Sequence, residues 1–507
     1  MERLQSHVLG RWHDAAGDLA TLVDPTSESP IAVCGSGGID FRAVLAFARD
    51  QGGPALAGLS FAERGKLLAG VAGAIHAKRD ELIEVSIRSA GTTRGDAKFD
   101  IDGAIGTLTY YAGLGEKLGA RTYLLDGAQV QLGRTPRFSG VHLCVPRRGV
   151  AVHVNAFNFP AWGMLEKAAC ALLAGVPVVE KPGTPTALLA WRIAREVVEH
   201  GGLPAGAFQF IAGSLGDLLD HLGPQDALAF TGSSATGAKL RGHPNLVRRN
   251  VRVNIEADSL NAAVLAPDVD PGSETFGLFV NNVVLDMTQK TGQKCTAVRR
   301  VLVPGDALSL VRDELVAALA RIVVGDPADK ATRMGPLASK SQLDDVRAGI
   351  ERLARAGTIA CGGAGPIRPQ GYFVAPTLIV ARDGRDPAFH AEEVFGPVAA
   401  LLPYSGEARE AAVLVNLGGG GLVCSAYSND AAWNQAFALE AAPWHGRVWL
   451  ASDKMAEQAL PPGMVLPQMV HGGPGRAGGG EELGAERGLS FYLQRTALQG
   501  FQGHLPT

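Results

Sequence analysis

The amino-acid sequence predicts an α/β protein with two doubly wound, mainly parallel sheets. Three observations lead there. A chain of 507 residues is too long for one hydrophobic core and divides into two or three domains. From residue 150 to about 260, short apolar runs alternate with helical stretches, the pattern of repeated strand–helix–strand units with right-handed crossovers. After residue 261 a second alternation of the same kind begins. Ligands of such sheets bind outside the carboxyl ends of the strands, so chemistry is sought there.

In chain order, residues 1–130 read as a helical and β cover for the first domain. Their main feature is a long amphipathic helical stretch over 63–91. "VAVHVNAF" (150–157) reads as a buried strand. "GMLEKAACALLAG" (163–175) reads as a helix with its stripe at Met164, Ala168 and Leu172. "VPVVE" (176–180) is a strand. "PTALLAWRIAREVVEHGG" (185–202) is a helix opened by proline and closed by glycine. "AFQFI", "DALAF" and "NVRVNI" continue as strands with short helices between them, and "NVRVNI" is apolar enough to be central. The second domain runs "NAAVL", helix 274–292, strand "VRRVLV" and helix "SLVRDELVAALARIV".

Composition narrows the function. The hydrophobic fraction of 46% and charged fraction of 19% are ordinary for a soluble globular protein. A net charge of −3 and the lack of a basic tract argue against nucleic acid as a partner. The N-terminus lacks a signal-peptide core, and no run reaches the ~18 apolar residues of a membrane span. Six scattered cysteines form neither a disulfide framework nor a CxxC site, and there is no HExxH. The expectation is a cytoplasmic enzyme without a metal.

Cys295, in "TGQKCTAVRR", sits in a polar stretch free of bulk, after a helix and its Gly292 break. A free cysteine is more often an inert core residue than a nucleophile. Polar Gln293 and Lys294 shift that balance, as does Glu256, a carboxylate at the end of a strand in "VNIEADSLN". Asn158, in "NAFNFP", either fixes a turn before Pro160 or aims its amide at a developing oxyanion. "FTGSSATG" (230–237) is a strand, a turn at Gly232 and a helix opened by Ser233 and Ser234, which suits a phosphate.

Together these motifs resemble the aldehyde dehydrogenase superfamily over essentially the whole chain. The resemblance implies the aldehyde dehydrogenase fold, a Rossmann-type cofactor domain with a second α/β catalytic domain and a small β oligomerisation arm. It divides the chain into a cofactor domain (1–130 and 150–260), a catalytic domain (261–470), and oligomerisation or closing segments (131–149 and 471–507). It makes Cys295 the nucleophile, Glu256 the general base and Asn158 the oxyanion amide. "EKP" carries the ribose lysine, Lys181, and "FTGS" the pyrophosphate turn with Gly232 and Ser233. "EEVFGP" carries Glu393 for the nicotinamide ribose, and Phe395. Phe157, in "FNFP" where the family usually has "WNFP", falls with the cofactor residues. NAD-preferring relatives carry an acid three positions after the ribose lysine. Thr184 stands there, which implies NADP ahead of NAD, with the adjacent Glu180 turned away by strand alternation.

The usual "LELGGK" around the base is "NIEADSLN". That departure, "GQKCTA" and "HGGPGRAGGGEELG" resemble one branch of the family. This branch handles CoA-linked semialdehydes from aromatic-acid ring opening. It includes the dehydrogenase part of the bifunctional phenylacetate ring-opening proteins and the stand-alone 3,4-dehydroadipyl-CoA semialdehyde dehydrogenases. The chain has no room for the hydratase of the bifunctional type. The implied substrate is 3,4-dehydroadipyl-CoA semialdehyde or 3-oxo-5,6-dehydrosuberyl-CoA semialdehyde, and the implied assembly a homodimer. Small residues at 472–480 would line a wide entrance, Arg476 would meet a CoA phosphate, and Thr296 and Ala297 would leave room at the thiol. Four alternatives stand beside this: a dehydrogenase for free aldehydes, a CoA-acylating dehydrogenase, a catalytically retired binding protein of the same fold, and a cofactor-free thiol hydrolase using His153, His221 or His471.

Overall fold

The computed structural model describes residues 1–455 and 457–506. Two seven-stranded sheets dominate it. The first runs, edge to edge, Arg252–Glu256, Ala227–Thr231, Ala151–Val154, Val178–Lys181, Phe208–Phe210, Ser6–Val8 and Arg11–His13. Its first five strands are parallel, and the two N-terminal strands add antiparallel. The second runs Gly357–Cys361, Thr377–Ala381, Val398–Tyr404, Val298–Pro304, Asn261–Leu265, Gly421–Tyr427 and His445–Ala451. It is parallel except at its first edge. Both are the Rossmann-like α/β sheets the alternation predicts. A third sheet joins Leu124–Gln131, Phe138–Pro146 and Leu493–Phe501, so the C-terminal strand returns to pair with the middle of the chain. No helix among the described residues is long and apolar enough to cross a membrane.

Three features differ from the sequence reading, each for a physical reason. The stretch 63–91 is two helices, Phe61–Ala77 and Arg79–Ala90. The first opens on a Ser60/Glu63 capping box, and the chain leaves helical geometry at Lys78. Asp80 and Glu81 then favour a fresh N-terminus, where acids meet the positive end of the helix dipole. The helix Trp162–Ala174 is buried nearly all round rather than along one stripe, because it packs inside the first domain. The strand Arg252–Glu256 is an edge, not central. Its apolar residues are covered by the glycine-rich segment instead: Gly480 N donates to Ile255 O and Ala257 N to Ala477 O, both at 3.0 Å.

That cover explains the glycines. A Cβ on Gly478 would lie 2.3 Å from Ile255 O, and one on Gly473 would lie 2.2 Å from Gly421 O. Backbone meets backbone there, and Gly478 also has φ +100°. The small residues of 472–480 therefore permit close packing, while Gly475, Arg476 and Gly478 also line an open pocket beside the helix Ser234–Arg241. Arg476 is likewise structural: its Nε donates to Gly418 O at 3.0 Å and its Nη2 to Ala391 O at 2.6 Å.

Candidate active site

Strand ends assemble the site. Glu256 is the last residue of its strand, and Asn158 follows the strand Ala151–Val154. Cys295 lies between the helix Glu274–Thr288 and the strand Val298–Pro304. The approach to it is strained: Lys290, Thr291 and Gly292 have φ of 52°, 57° and 67°. Three consecutive left-handed residues persist only when tertiary bonds hold them. Thr291 Oγ1 donates to Gly335 O at 3.0 Å. Asn261 Nδ2 donates to Cys295 O at 2.7 Å and to Ala297 O at 2.9 Å, clamping the cysteine backbone to the first strand of the second domain.

The structure brings Cys295, Glu256 and Asn158 to one cavity of about 40 Å³. Part of its lining is aromatic. Phe99, Phe159 and Trp162 pack edge to face, with centroids 5.3 to 6.1 Å apart. Asn158 Nδ2 donates to Gln293 O at 3.0 Å, so its amide faces the cysteine loop. Of the two neighbours thought to leave room, Thr296 lines the cavity, whereas Ala297 is fully buried in the core. Lys294 points away from the thiol into an ion pair with Asp286 at 2.7 Å. It gives the thiol no direct support.

Sequence reasoning did not place His471 beside both reacting groups. Its Nε2 is 3.0 Å from Glu256 Oε2 and 4.0 Å from Cys295 Sγ. Glu256 and His471 are only 2% and 4% exposed. Burial would raise Glu256, but the His471 imidazole and the nearby Lys167 outweigh it and hold the carboxyl below its ordinary range. Burial would lower His471, and the Glu256 charge outweighs that and raises it. Burial and then the Glu256 carboxylate push the Cys295 thiol well above its ordinary value. The other two histidines are elsewhere. His153 is buried between Glu180 and Tyr492, and His221 contacts Asp217.

A second charged set backs the first. The hairpin Val470–Gly472/Glu481–Leu483 pairs His471 with Glu482 across the strands. Glu482 Oε2 is 3.2 Å from Lys167 Nζ, and Glu166 Oε1 is 3.6 Å from it. Burial pushes Glu166 up to about 7, partly offset by Lys167. The only local signal for these residues was an acid and a base inside an otherwise apolar helix, "MLEKAA".

The residues expected to hold a cofactor fall in a second group. Lys181 ends its strand half-buried, and burial lowers its ammonium. Thr184 opens the turn that follows it. Thr186 Oγ1 donates to Phe157 O at 2.7 Å, and a Cβ on Gly183 would fall 2.6 Å from Phe157 N, so Phe157 sits tightly on this turn. Gly232 N donates to Glu256 O at 3.1 Å, tying the glycine turn to the base. Ser233 caps the helix Ser234–Arg241. Glu393 accepts from Ser259 N at 3.0 Å and pairs with Arg299 at 3.2 Å, and burial raises it to about 7. Arg299 also donates to Lys294 O and lies over the Phe395 ring, which meets Phe157 at 6.0 Å. Glu180 is turned away: its oxygens take His153 Nδ1 at 2.6 Å and Asn155 Nδ2 at 2.8 Å.

The donor set fits a dinucleotide. A lysine ends one strand with a hydroxyl on the turn after it, and a capped helix N-terminus follows a glycine turn, groups suited to a ribose and a phosphate. One group does not fit. Asp258 Oδ1 accepts from Ser234 N at 3.1 Å, placing a carboxylate at that helix terminus.

The sequence matches the aldehyde dehydrogenase family over residues 12–498. It is 44% identical over 479 residues to 3,4-dehydroadipyl-CoA semialdehyde dehydrogenase of Aromatoleum evansii, covering 93% of each chain. It is 29% identical over 451 residues to succinate-semialdehyde dehydrogenase (NADP+) of Mycobacterium avium, covering 87% of this chain and 88% of that one. An NAD+ complex of an aldehyde dehydrogenase from Bacillus cereus superposes with a TM-score of 0.85. It covers 99% of this chain and 97% of that one at 24% identity, a likeness of fold.

Proposed function

The chain belongs to the aldehyde dehydrogenase family, and from that premise we propose that it oxidises a CoA-linked semialdehyde from aromatic-acid ring cleavage, with NADP preferred over NAD. The observation that carries the chemistry is the meeting of Cys295, Glu256 and Asn158 in one cavity. The substrate class rests on the 44% identity to a relative named for such a semialdehyde. The aromatic lining accords with it, because apolar rings beside the thiol suit the hydrocarbon part of an aldehyde arm. Arg476 gives two of its five N–H donors to backbone carbonyls, which fixes its place at the edge of an open pocket.

In this reading Cys295 Sγ attacks the aldehyde carbon. At an ordinary pKa of ~8.5 only ~3% of a thiol is ionised near neutral pH, and here burial raises the value further. A proton acceptor is therefore needed, and among the described residues Glu256 Oε1 is buried with no nitrogen or oxygen partner. The thiohemiacetal oxyanion is held by the Asn158 amide and the Cys295 N–H. NADP, where bound, would accept the hydride, and Cys295 would then carry the thioester. Glu256 then takes a proton from water, which attacks the thioester carbon, and the thiolate leaves as the acid forms. The proton that Glu256 took from the thiol passes to solvent before Glu256 accepts this second one.

Lys181 and Thr184 would hold the ribose and its 2′-phosphate, Gly232 and Ser233 the pyrophosphate, and Glu393, Phe395 and Phe157 the nicotinamide side. The commitment of Glu180 to His153 and Asn155 supports NADP, since no acid at that position then faces a 2′-phosphate. A hydrolase reading is weaker. A cysteine-hydrolase imidazole uses one nitrogen for the thiol and the other for its carboxylate, whereas Nε2 of His471 faces both. The third sheet, with Val130, Leu132, Phe138 and Phe501 exposed, supports an oligomerisation arm and a homodimer. Residues 1–130 and 150–260 would bind the cofactor, 261–470 carry the nucleophile, and 131–149 and 471–507 close the unit. Six unpaired cysteines accord with work in the cytoplasm.

Reduced-cofactor absorbance with NADP and NAD, against CoA-linked and free aldehydes of similar length, tests both parts. A CoA-linked semialdehyde should show kcat/KM at least ~100-fold above its free counterpart, about 2.7 kcal/mol of transition-state binding. Equal efficiency removes the CoA assignment, and a higher kcat/KM with NAD removes the NADP one. Asp258 gives a further expectation. Asp258→Asn keeps shape and removes a negative charge from the helix terminus. The cofactor KM should fall ~2–5-fold with kcat little changed, matching the ~0.3–1 kcal/mol of a charge at a helix end. An unchanged or higher KM would show that the carboxylate does not compete there.

A further inference from the structure

We propose that Cys295 Sγ, His471 Nε2 and the Glu256 carboxylate also form a binding site for a thiophilic divalent cation, Zn²⁺ first among them, which switches the nucleophile off reversibly. The binding part stands on geometry alone, and the switching part rests on the reading of Cys295 as nucleophile. The ligand atoms of the three residues lie within 4.8 Å of one another. A thiolate, an imidazole and a carboxylate are the three ligand types zinc uses. Bond lengths of ~2.3 Å to sulfur and ~2.0–2.2 Å to nitrogen or oxygen in a tetrahedron put ligand atoms roughly 3.3–3.6 Å apart. The separations here are 4.0 Å from sulfur to nitrogen and 3.0 Å from nitrogen to oxygen, so small side-chain shifts close the site.

Two further observations point to a ligand. Among the described residues Glu256 Oε1 is buried with no nitrogen or oxygen partner, its carboxylate meeting only the His471 imidazole and the Cys295 thiol, and all three residues line the same cavity. That cavity, about 40 Å³, leaves space for the fourth ligand, a water. Glu166 and Glu482 flank Lys167, and Arg447 is a further cation near His471 and Cys295, so two carboxylates face two cations around the three ligands. Binding exchanges protons for the cation: the thiol proton and the proton that His471 Nε2 shares with Glu256 both pass to buffer, and no electrons move. With its lone pair on the metal, Cys295 cannot attack a carbonyl, and a chelator restores it.

The test uses the full chain free of cofactor and Cd²⁺ as a spectroscopic probe. Cd²⁺ should give an ultraviolet cadmium–thiolate band that saturates at one equivalent, is absent in Cys295→Ala, and is displaced by Zn²⁺ but not Mg²⁺. His471→Gln and Glu256→Gln should each weaken binding at least ~10-fold. Glu256→Gln keeps the volume of the native side chain, so it answers the question even if His471→Gln does not fold. Zn²⁺ should also inhibit aldehyde oxidation in proportion to that occupancy, with recovery on adding EDTA. A band that survives Cys295→Ala, or affinity unchanged in both ligand variants, overturns the site. Binding as described without any aldehyde oxidation in metal-free protein would instead overturn the dehydrogenase reading and leave the site standing.

Discussion

Cys295→Ala is expected to lower aldehyde oxidation by on the order of 10³-fold or more while leaving NADP affinity within about twofold. The asymmetry follows from where the groups lie. The thiol faces a cavity with Asn158, Glu256 and His471, whereas Lys181, Thr184 and Ser233 stand on separate turns of the first sheet. Removing one sulfur from the cavity disturbs no contact among those turns. The cysteine backbone remains clamped by Asn261, so the loop should keep its shape. Titration calorimetry with NADP and steady-state rates check the two halves separately. Activity within tenfold of the parent would remove Cys295 from the mechanism. Lost activity together with lost cofactor binding would mean that the substitution had collapsed the loop.

The parts of this site that were legible in the sequence are those fixed by local strand–turn chemistry. Glu256 and Asn158 each follow an apolar run, and the carboxyl edge of a parallel sheet is where such residues gather. Gly232 and Ser233 show as a strand–glycine–helix turn for the same reason. What was hidden depends on long-range packing. His471 is 176 residues from Cys295 and meets it because a glycine-rich segment lies backbone to backbone along the strand of Glu256. The glycines are visible in the sequence, but what they pack against is not. This is why the sequence showed an open rim but not the tight seam that most of these glycines form. The same holds for the edge position of Arg252–Glu256: an edge covered on its open side reads like a central strand. Lys294 read only as a polar neighbour of the thiol, and its partners were hidden too. The helix before it offers Asp286 and Gln289, and the ammonium turns to them.

Glu256→Gln should separate the two halves of the reaction. The side chain keeps its volume and loses its charge, and with it the ability to take a proton from water. Deacylation should then slow by ~10²–10⁴-fold, the usual worth of a general base. Acylation should suffer less. In the native site the thiol is pushed up by burial and then by the Glu256 carboxylate, and the substitution removes that second burden. The lost proton acceptor and the relieved repulsion act in opposite directions on thiolate formation. His471 also loses the charge that raised it, so its imidazole becomes available to accept the thiol proton from 4.0 Å. Rapid mixing with NADP and aldehyde should therefore show a burst of reduced cofactor close to one per active site, followed by slow turnover. Mass spectrometry of the quenched protein should find the acyl group on Cys295. A burst slowed as much as the steady state would make Glu256 the acceptor of the thiol proton as well, with His471 unable to replace it. A steady-state rate equal to the parent's would exclude Glu256 from both steps and leave water activation to Glu166, the other cavity carboxylate, which burial holds near 7.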